Sequence, residues 1–178
     1  KKITIPSTIK HIGSSVFRNC TSLEEVIIPS SVTSIGRYVS NGCTALKKIS
    51  IQSSVEYFGS YLFSNIKKLE ILGSINKIPA KTFYGCKELT EISIPSSVTS
   101  ICECAFYGCS LLKEIKLPSF LNSIKKSAFN GCSSLTEIEI HSYVTTIENY
   151  VFYDCKSLIR IVIPSSVKSI GNYAFGKC

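Results

Sequence analysis

A single unit of 23 residues recurs along the chain, and this repetition constrains the fold more than any other feature. Its clearest copy is residues 89–111, LTEISIPSSVTSICECAFYGCSL. The unit keeps Leu at position one, Ile at four and six, Pro at seven, Ser at eight, Val at ten, Ile at 13, Phe at 18 and Cys at 21. Because so short a unit cannot bury its apolar face alone, its copies must stack on one another. The sequence therefore predicts an elongated array with one continuous core.

About eight copies follow one another, beginning near residues 1, 23, 46, 69, 89, 112, 135 and 158. The fourth copy is three residues short, and we place its loss around residues 72–74, where a strand and its proline are expected. No linker separates the copies, which predicts a single domain over residues 1–178. Neither end carries the polar cap that a solenoid needs, so we expect this domain to be part of a longer array.

Each copy is expected to contain two short extended segments. Apolar residues alternate with variable ones in LxxIxIP, which is typical of a strand with one buried face, and proline ends that strand because it has no N–H to donate. V-T-S-I at residues 98–101 alternates in the same way, and glycine at position 14 is expected to allow the turn that follows. A-F-x-x-C is too short for a stable helix and is expected to form one helical turn.

The predicted fold is mostly β with short helical turns, a solenoid of about eight stacked copies with parallel sheets. Neighbouring strands of such sheets lie about 4.8 Å apart. The phenylalanines at position 18 are expected to stack as an aromatic spine inside the array: Phe17, Phe63, Phe83, Phe106, Phe129, Phe152 and Phe175.

Net charge and hydropathy limit the classes of partner. The chain carries a net charge of +8, which permits an acidic partner, but its lysines are scattered and it has only three arginines. Arginine is the residue that best recognises bases and phosphates, so no nucleic-acid partner is expected. No apolar run approaches the roughly 20 residues that span a bilayer, so no membrane insertion is expected within this segment.

The nine cysteines resemble a disulfide framework or metal site only in number. Seven of them occupy position 21, where a ladder of small buried thiols is expected: Cys20, Cys43, Cys86, Cys109, Cys132, Cys155 and Cys178. Cys102 and Cys104 leave a metal or redox site near Cys109 as an alternative. His11 and His141 are far apart in the array, and no base is identifiable near a thiol. The sequence therefore predicts no enzyme, no metal and no cofactor.

Variable positions on the first strand carry a group of carboxylates. Stacking would place Glu91, Glu114 and Glu137 in one row about 5 Å apart, where like charges directly opposite are unfavourable. Glu139 extends this acidic patch, while nearby lysines offset it. One interpretation is a solvated, locally compensated face, and the other is a binding site for a cationic group of a partner.

Two aromatic residues replace the usual serine at position nine. Phe120 and Tyr143 do so in consecutive copies, and aromatic pairs of this kind serve as anchors in protein interfaces. Packing beneath a loop is the alternative. Together with the four glutamates, these two residues form the candidate partner-binding site.

IPSSVTSI at residues 94–101, AFYGC at residues 105–109 and IPSSVKSIGNYAF at residues 163–175 resemble the BspA-type leucine-rich repeat. The resemblance covers essentially the whole chain. It implies a solenoid used for adhesion or protein recognition in surface proteins of bacteria and parasitic protists, and it transfers no catalytic residue.

The predicted function is a non-enzymatic protein-binding or adhesion module at the cell surface or outside the cell. Its expected partner is a protein of the host matrix or of a cell surface. The alternative is an intracellular scaffold bound along a larger assembly as one of its components. Free thiols in number suit a reducing compartment, which favours that alternative.

Overall fold

A computed structural model describes residues 1–52, 55–63 and 66–178 as a parallel β-solenoid. Fifteen short strands follow one another in the chain, and the described residues contain no helix. The strands are β1 (Lys2–Thr4), β2 (His11–Ile12), β3 (Glu25–Ile28), β4 (Ser34–Ile35), β5 (Lys48–Ile51), β6 (Tyr57–Phe58), β7 (Lys68–Ile71), β8 (Lys77–Ile78), β9 (Glu91–Ser93), β10 (Ser100–Ile101), β11 (Ser123–Ile124), β12 (Glu137–Glu139), β13 (Thr146–Ile147), β14 (Arg160–Val162) and β15 (Ser169–Ile170).

Each stacked copy is called a coil here, numbered one to eight along the chain, and each coil contributes to two rows of strands. The first row forms a five-stranded sheet, β1-β3-β5-β7-β9, and a two-stranded sheet, β12-β14. The second row forms a three-stranded sheet, β2-β4-β6, and a five-stranded sheet, β8-β10-β11-β13-β15. Coil six has a strand in the second row but none in the first. All eight coils are present in the second row, and seven of them have a first-row strand.

The strand pairing corrects the position of the short copy. Lys48 of β5 pairs with Lys68 of β7, which is 20 residues on, and Lys68 pairs with Glu91 of β9 after the usual 23. Coil three is therefore the short one, and coil four begins at Ile66 rather than near residue 69. The predicted loss around residues 72–74 is wrong, because β7 keeps full register with both neighbours. Coil three ends early, between Phe63 and Ile66, and not within a strand.

A stack of phenylalanine rings runs through the core, as predicted. From Phe63 to Phe175, successive ring centroids lie 5.1–6.0 Å apart in nearly parallel planes. The rings of Phe83, Phe106, Phe129 and Phe152 are completely buried. Position 18 of coil two is Ser40, so Phe17 at the start of the array lacks a ring above it. The spine joins coils three to eight into one core.

The segment A-F-x-x-C forms tight turns instead of the predicted helical turn. Position 16, just before it, has a left-handed backbone in every coil, with φ between 53° and 60°. The backbone then bonds to the next coil, as in the 2.8 Å bond from the Phe106 N–H to the Ala128 carbonyl. Five residues are too few for a stable helix, whereas the backbone of this segment can bond to the next coil.

Glycine at position 14 serves close packing and not a turn conformation, contrary to expectation. A Cβ on Gly59 would lie 2.5 Å from the carbonyl carbon of Gly36, and one on Gly36 would lie 2.6 Å from that of Gly13. None of these three glycines has a positive φ. Glycine is present because the backbones of coils one to three approach each other more closely than a side chain allows.

Within the ranges that the structure covers, no helix is long and apolar enough to cross a bilayer.

Candidate partner-binding face

Five thiols of the cysteine ladder are buried in the core, whereas Cys20 is half-buried and Cys178 is exposed. From coil two onward, each ladder cysteine donates its thiol hydrogen to a phenylalanine carbonyl, for example Cys109 to Phe83 at 3.2 Å and Cys132 to Phe106 at 3.2 Å. Burial raises the pKa of both thiols well above the ordinary value, and it raises the pKa of Cys155 to about 12. These groups stay protonated at neutral pH and are inert as nucleophiles.

Cys102 and Cys104 are free and half-buried. Burial is the main cause of a raised pKa at Cys104, which opposes formation of its thiolate. Both histidine rings already contact other groups: His11 Nδ1 lies 2.8 Å from Ser34 Oγ, and His141 Nε2 lies 3.0 Å from the Leu117 carbonyl oxygen. Across the described ranges, no three His, Cys, Asp or Glu side chains lie close enough together to hold a metal ion.

The outward row of charges on the first strands differs from expectation at coil four. Lys68 occupies this row and lies between Lys48 and Glu91. Its Nζ lies 2.9 Å from Glu91 Oε2, and the hydrogen bond to that carboxylate raises the pKa of Lys68. Glu91 is therefore compensated, and it contributes less to an acidic patch than its sequence position predicted.

Glu114, Glu137 and Glu139 lie together around one groove of about 650 Å³. In the part of the chain that the structure describes, none of the three forms an ion pair. Glu137 is in register with Arg160, and Arg160, Lys116 and His141 also line the groove. The groove thus presents three uncompensated carboxylates close to two cationic side chains.

Phe120 and Tyr143 lie side by side on the surface. Their ring centroids are 5.7 Å apart with planes tilted by 44°. Phe120 is 61% exposed and Tyr143 is 55% exposed, so most of each side chain lies in solvent and not beneath a loop. Ser119 and His141, which adjoin these residues in sequence, line the acidic groove. Neither ring is among the residues that line this groove, so the aromatic pair and the glutamates are linked only through these neighbours in sequence.

Sequence analysis missed an interruption of the first-row sheet at coil six. β9 is an edge strand in the middle of the array, because residues 114–116 form no strand beside it. Ile92 and Ile94 of coil five are only partly buried, whereas Leu69 and Ile71 of coil four are buried. A groove of about 720 Å³ extends along this edge from Leu72 to Glu114. Two sequence signals accompany the interruption: Leu117 replaces the isoleucine that every other coil has at position six, and Glu114 falls in the row between Glu91 and Glu137.

The family profile described as BspA type Leucine rich repeat region matches residues 1–78 and 76–178, in six copies. A comparison with curated proteins finds no match. Among solved structures, the T. pallidum leucine rich repeat protein TpLRR is similar, with 26% identity and a TM-score of 0.67 over 99% of this chain and 76% of that one.

A leucine rich cell surface protein from Faecalibacterium prausnitzii A2-165 is also similar. It is 24% identical with a TM-score of 0.52, over 98% of this chain and 66% of that one, and it supports the fold alone. The family profile spans the whole array, including both grooves and the aromatic pair. This chain belongs to the BspA-type leucine-rich repeat family.

Proposed function

We propose that this chain is a non-enzymatic protein-binding module that mediates adhesion through the first-row face of coils five to seven. The observation that carries the proposal is the groove lined by the exposed carboxylates of Glu114, Glu137 and Glu139, in the same two coils as the exposed rings of Phe120 and Tyr143. Exposed carboxylates without an ion pair and large exposed rings are the two features that a protein interface combines. Rings supply binding energy at a few points, and charges orient the partner.

The partner that fits this face is a protein with basic and apolar side chains on one surface. Phe120 and Tyr143 can each be buried by an apolar group, and the tilt between their rings leaves a face of each accessible. Lys116 and Arg160 admit some acidic groups as well, so the face favours a mixed surface over a purely cationic one. A protein of the host matrix or of another cell surface is the proposed partner.

The proposed location is the cell surface, in keeping with the surface proteins in which the family is known. A second candidate is an intracellular scaffold bound along a larger assembly. The nine free cysteines favour that candidate, because extracellular proteins rarely keep so many thiols reduced. Protease shaving of intact source cells distinguishes the two: loss of the protein from intact cells supports the surface location, and full protection supports the scaffold.

The test of the binding face replaces both aromatic residues by serine, which most other coils carry at this position. Phe120→Ser combined with Tyr143→Ser removes only exposed rings, so the melting temperature should not change. Binding to an array of immobilised matrix proteins, measured by surface plasmon resonance, should weaken more than tenfold, or about 1.4 kcal/mol.

Tyr57→Ser is the matched control for this double variant. Tyr57 is 52% exposed, and four of its seven second-row counterparts in other coils are serines: Ser34, Ser100, Ser123 and Ser169. The control should bind as well as the wild type. Equal binding by the double variant and the wild type would show that the aromatic pair is not the contact.

A further inference from the structure

The backbone of residues 113–117, here called the coil-six segment, lacks the hydrogen bonds that the other coils form. In coil five the Thr90 N–H donates to the Lys67 carbonyl at 2.9 Å, and in coil seven the Thr136 N–H donates to the Lys113 carbonyl at 3.0 Å. Within the described structure, none of the five N–H groups of the coil-six segment donates a backbone hydrogen bond, and the Thr90 carbonyl accepts none. Backbone groups in folded proteins are nearly always paired, so these groups are available to water or to a partner.

Side chains hold this unpaired segment in place. Ile115 and Leu117 are buried in the core, only 6% and 7% exposed. On the coil-five side, Ile92 and Ile94 are partly exposed along the groove of about 720 Å³. The segment is thus anchored by its apolar side chains, and its backbone polar groups lie beside a groove lined by both apolar and charged side chains.

The opening is confined to the first row. In the second row, Ser100 and Ile101 of β10 pair in register with Ser123 and Ile124 of β11. Inside the core, the rings of Phe106 and Phe129 stack at 5.3 Å. Coils five and six therefore stay joined on their other sides, and among the described strands the free edges next to coil six, those of β9 and β12, lie in the first row.

We propose that an extended segment of a partner protein adds as a strand to this internal edge, bonding to the backbone of β9 and of the coil-six segment. Free strand edges are templates for such pairing, and peptide recognition by strand addition draws its affinity from the main chain. This inference rests on the proposed function, since it assigns a binding mode and partner chemistry to the same face.

Side chains next to the edge define the sequence of the partner segment. Glu91 and Ser93 point outward on β9 and Ile92 points inward, so a paired strand presents alternate residues to the carboxylates and to the core opening. Glu114 and Glu137 add further negative charge on the outward side. The partner segment is therefore an extended stretch in which basic residues alternate with β-branched apolar ones.

The probe for this proposal is a synthetic peptide of alternating lysine and valine, titrated against the intact chain by calorimetry. A second peptide has the same sequence with N-methyl groups on alternate amides, which removes backbone donors and keeps every side chain. We expect the N-methylated peptide to bind at least tenfold more weakly, which corresponds to about 1.4 kcal/mol. Hydrogen exchange of residues 113–117 should be fast in the free chain and slow with the unmodified peptide.

A charge control uses two pairs of glutamates on the same face. Glu137→Gln with Glu139→Gln should weaken binding of the unmodified peptide, while Glu24→Gln with Glu25→Gln, in the continuous part of the sheet, should not. Slow exchange of residues 113–117 in the free chain would overturn the proposal, as would failure of the unmodified peptide to bind. Strand addition would be overturned if both peptides bound equally well. If Phe120→Ser with Tyr143→Ser then weakened the binding of both, the proposed binding face would stand.

Discussion

Coils three and six deviate from the array in opposite ways. Coil three is three residues shorter than its neighbours, yet its first-row strand β5 pairs in register with β3 and β7 over four residues on each side. Coil six has the full length and keeps Leu112, Ile115 and Pro118 of the repeat, yet its first-row segment forms no strand. The irregular sequence is continuous in the first row, and the regular sequence is interrupted.

The length of a coil and the pairing of its first-row strand vary independently in this array. The shortening of coil three falls after Phe63, beyond both of its strands, so β5 and β7 are unaffected. Its effect is instead on the second row, where β6 and β8 belong to different sheets. The shortening of a coil therefore affects the strand pairing next to the missing residues. The repeat pattern alone does not show where those residues are missing.

Electrostatic repulsion gives a physical reason for the interruption at coil six. Regular pairing would place Glu114 directly between Glu91 and Glu137, and like charges opposite each other destabilise a sheet. Elsewhere in the row each lysine has a carboxylate partner: Lys2 lies 3.3 Å from Glu25, and the neighbouring Lys48 and Lys68 lie 2.9 Å from Glu70 and Glu91. The amides of coil six can bond to water, so opening this row costs little backbone energy.

The largest effect is expected from Phe129→Ala in coil six, which tests whether the aromatic spine holds this coil. Phe129 is completely buried between Phe106 and Phe152, at 5.3 and 5.6 Å. The truncation should lower the free energy of unfolding by about 3–5 kcal/mol, measured by urea denaturation. Phe17→Ala, at the start of the array where Ser40 replaces the next ring, should cost less. An equal loss at both sites would show that stacking contributes nothing beyond burial.

A smaller effect is expected from Gly59→Ala, which tests how closely coil three packs on coil two. The new Cβ would lie 2.5 Å from the carbonyl carbon of Gly36, so the backbones must separate. We expect a loss of more than about 1 kcal/mol in the free energy of unfolding. Gly13→Ala is the matched control, because its Cβ would meet only Val16 Cγ2 at an ordinary 3.7 Å. Similar stability of the two variants would mean that coil three is as loosely packed as coil one.

The repeat was sufficient to predict the solenoid, the parallel strands and the Phe63–Phe175 spine, because buried alternation and stacking follow from the period itself. Helical turns were wrongly predicted, since bonding between coils outweighed the local preference of A-F-x-x-C. Placement of the short coil failed because Ile66 was taken for a position-21 residue, although it begins coil four. The exposure of Phe120 and Tyr143 was one of two stated alternatives. The free edge of β9 was not predicted, although the unfavourable row of Glu91, Glu114 and Glu137 was, because like charges in a row do not show by themselves which strand pairing is lost.

The smallest effect is expected from Glu114→Gln, which tests repulsion as the cause of the interruption. Removing the central charge leaves Glu91 paired with Lys68 and Glu137 in register with Arg160, so no two carboxylates remain adjacent in the row. The coil-six segment can then pair with β9, and the chain should gain about 0.2–1 kcal/mol of stability. Exchange of the Ile115 amide, measured by hydrogen–deuterium mass spectrometry, should slow towards that of Leu69 in β7. Glu24→Gln, in the continuous sheet, should leave the exchange of Ile115 unchanged. If Glu114→Gln leaves the Ile115 amide exchanging as fast as before, the carboxylates are not what keeps coil six apart from its neighbours.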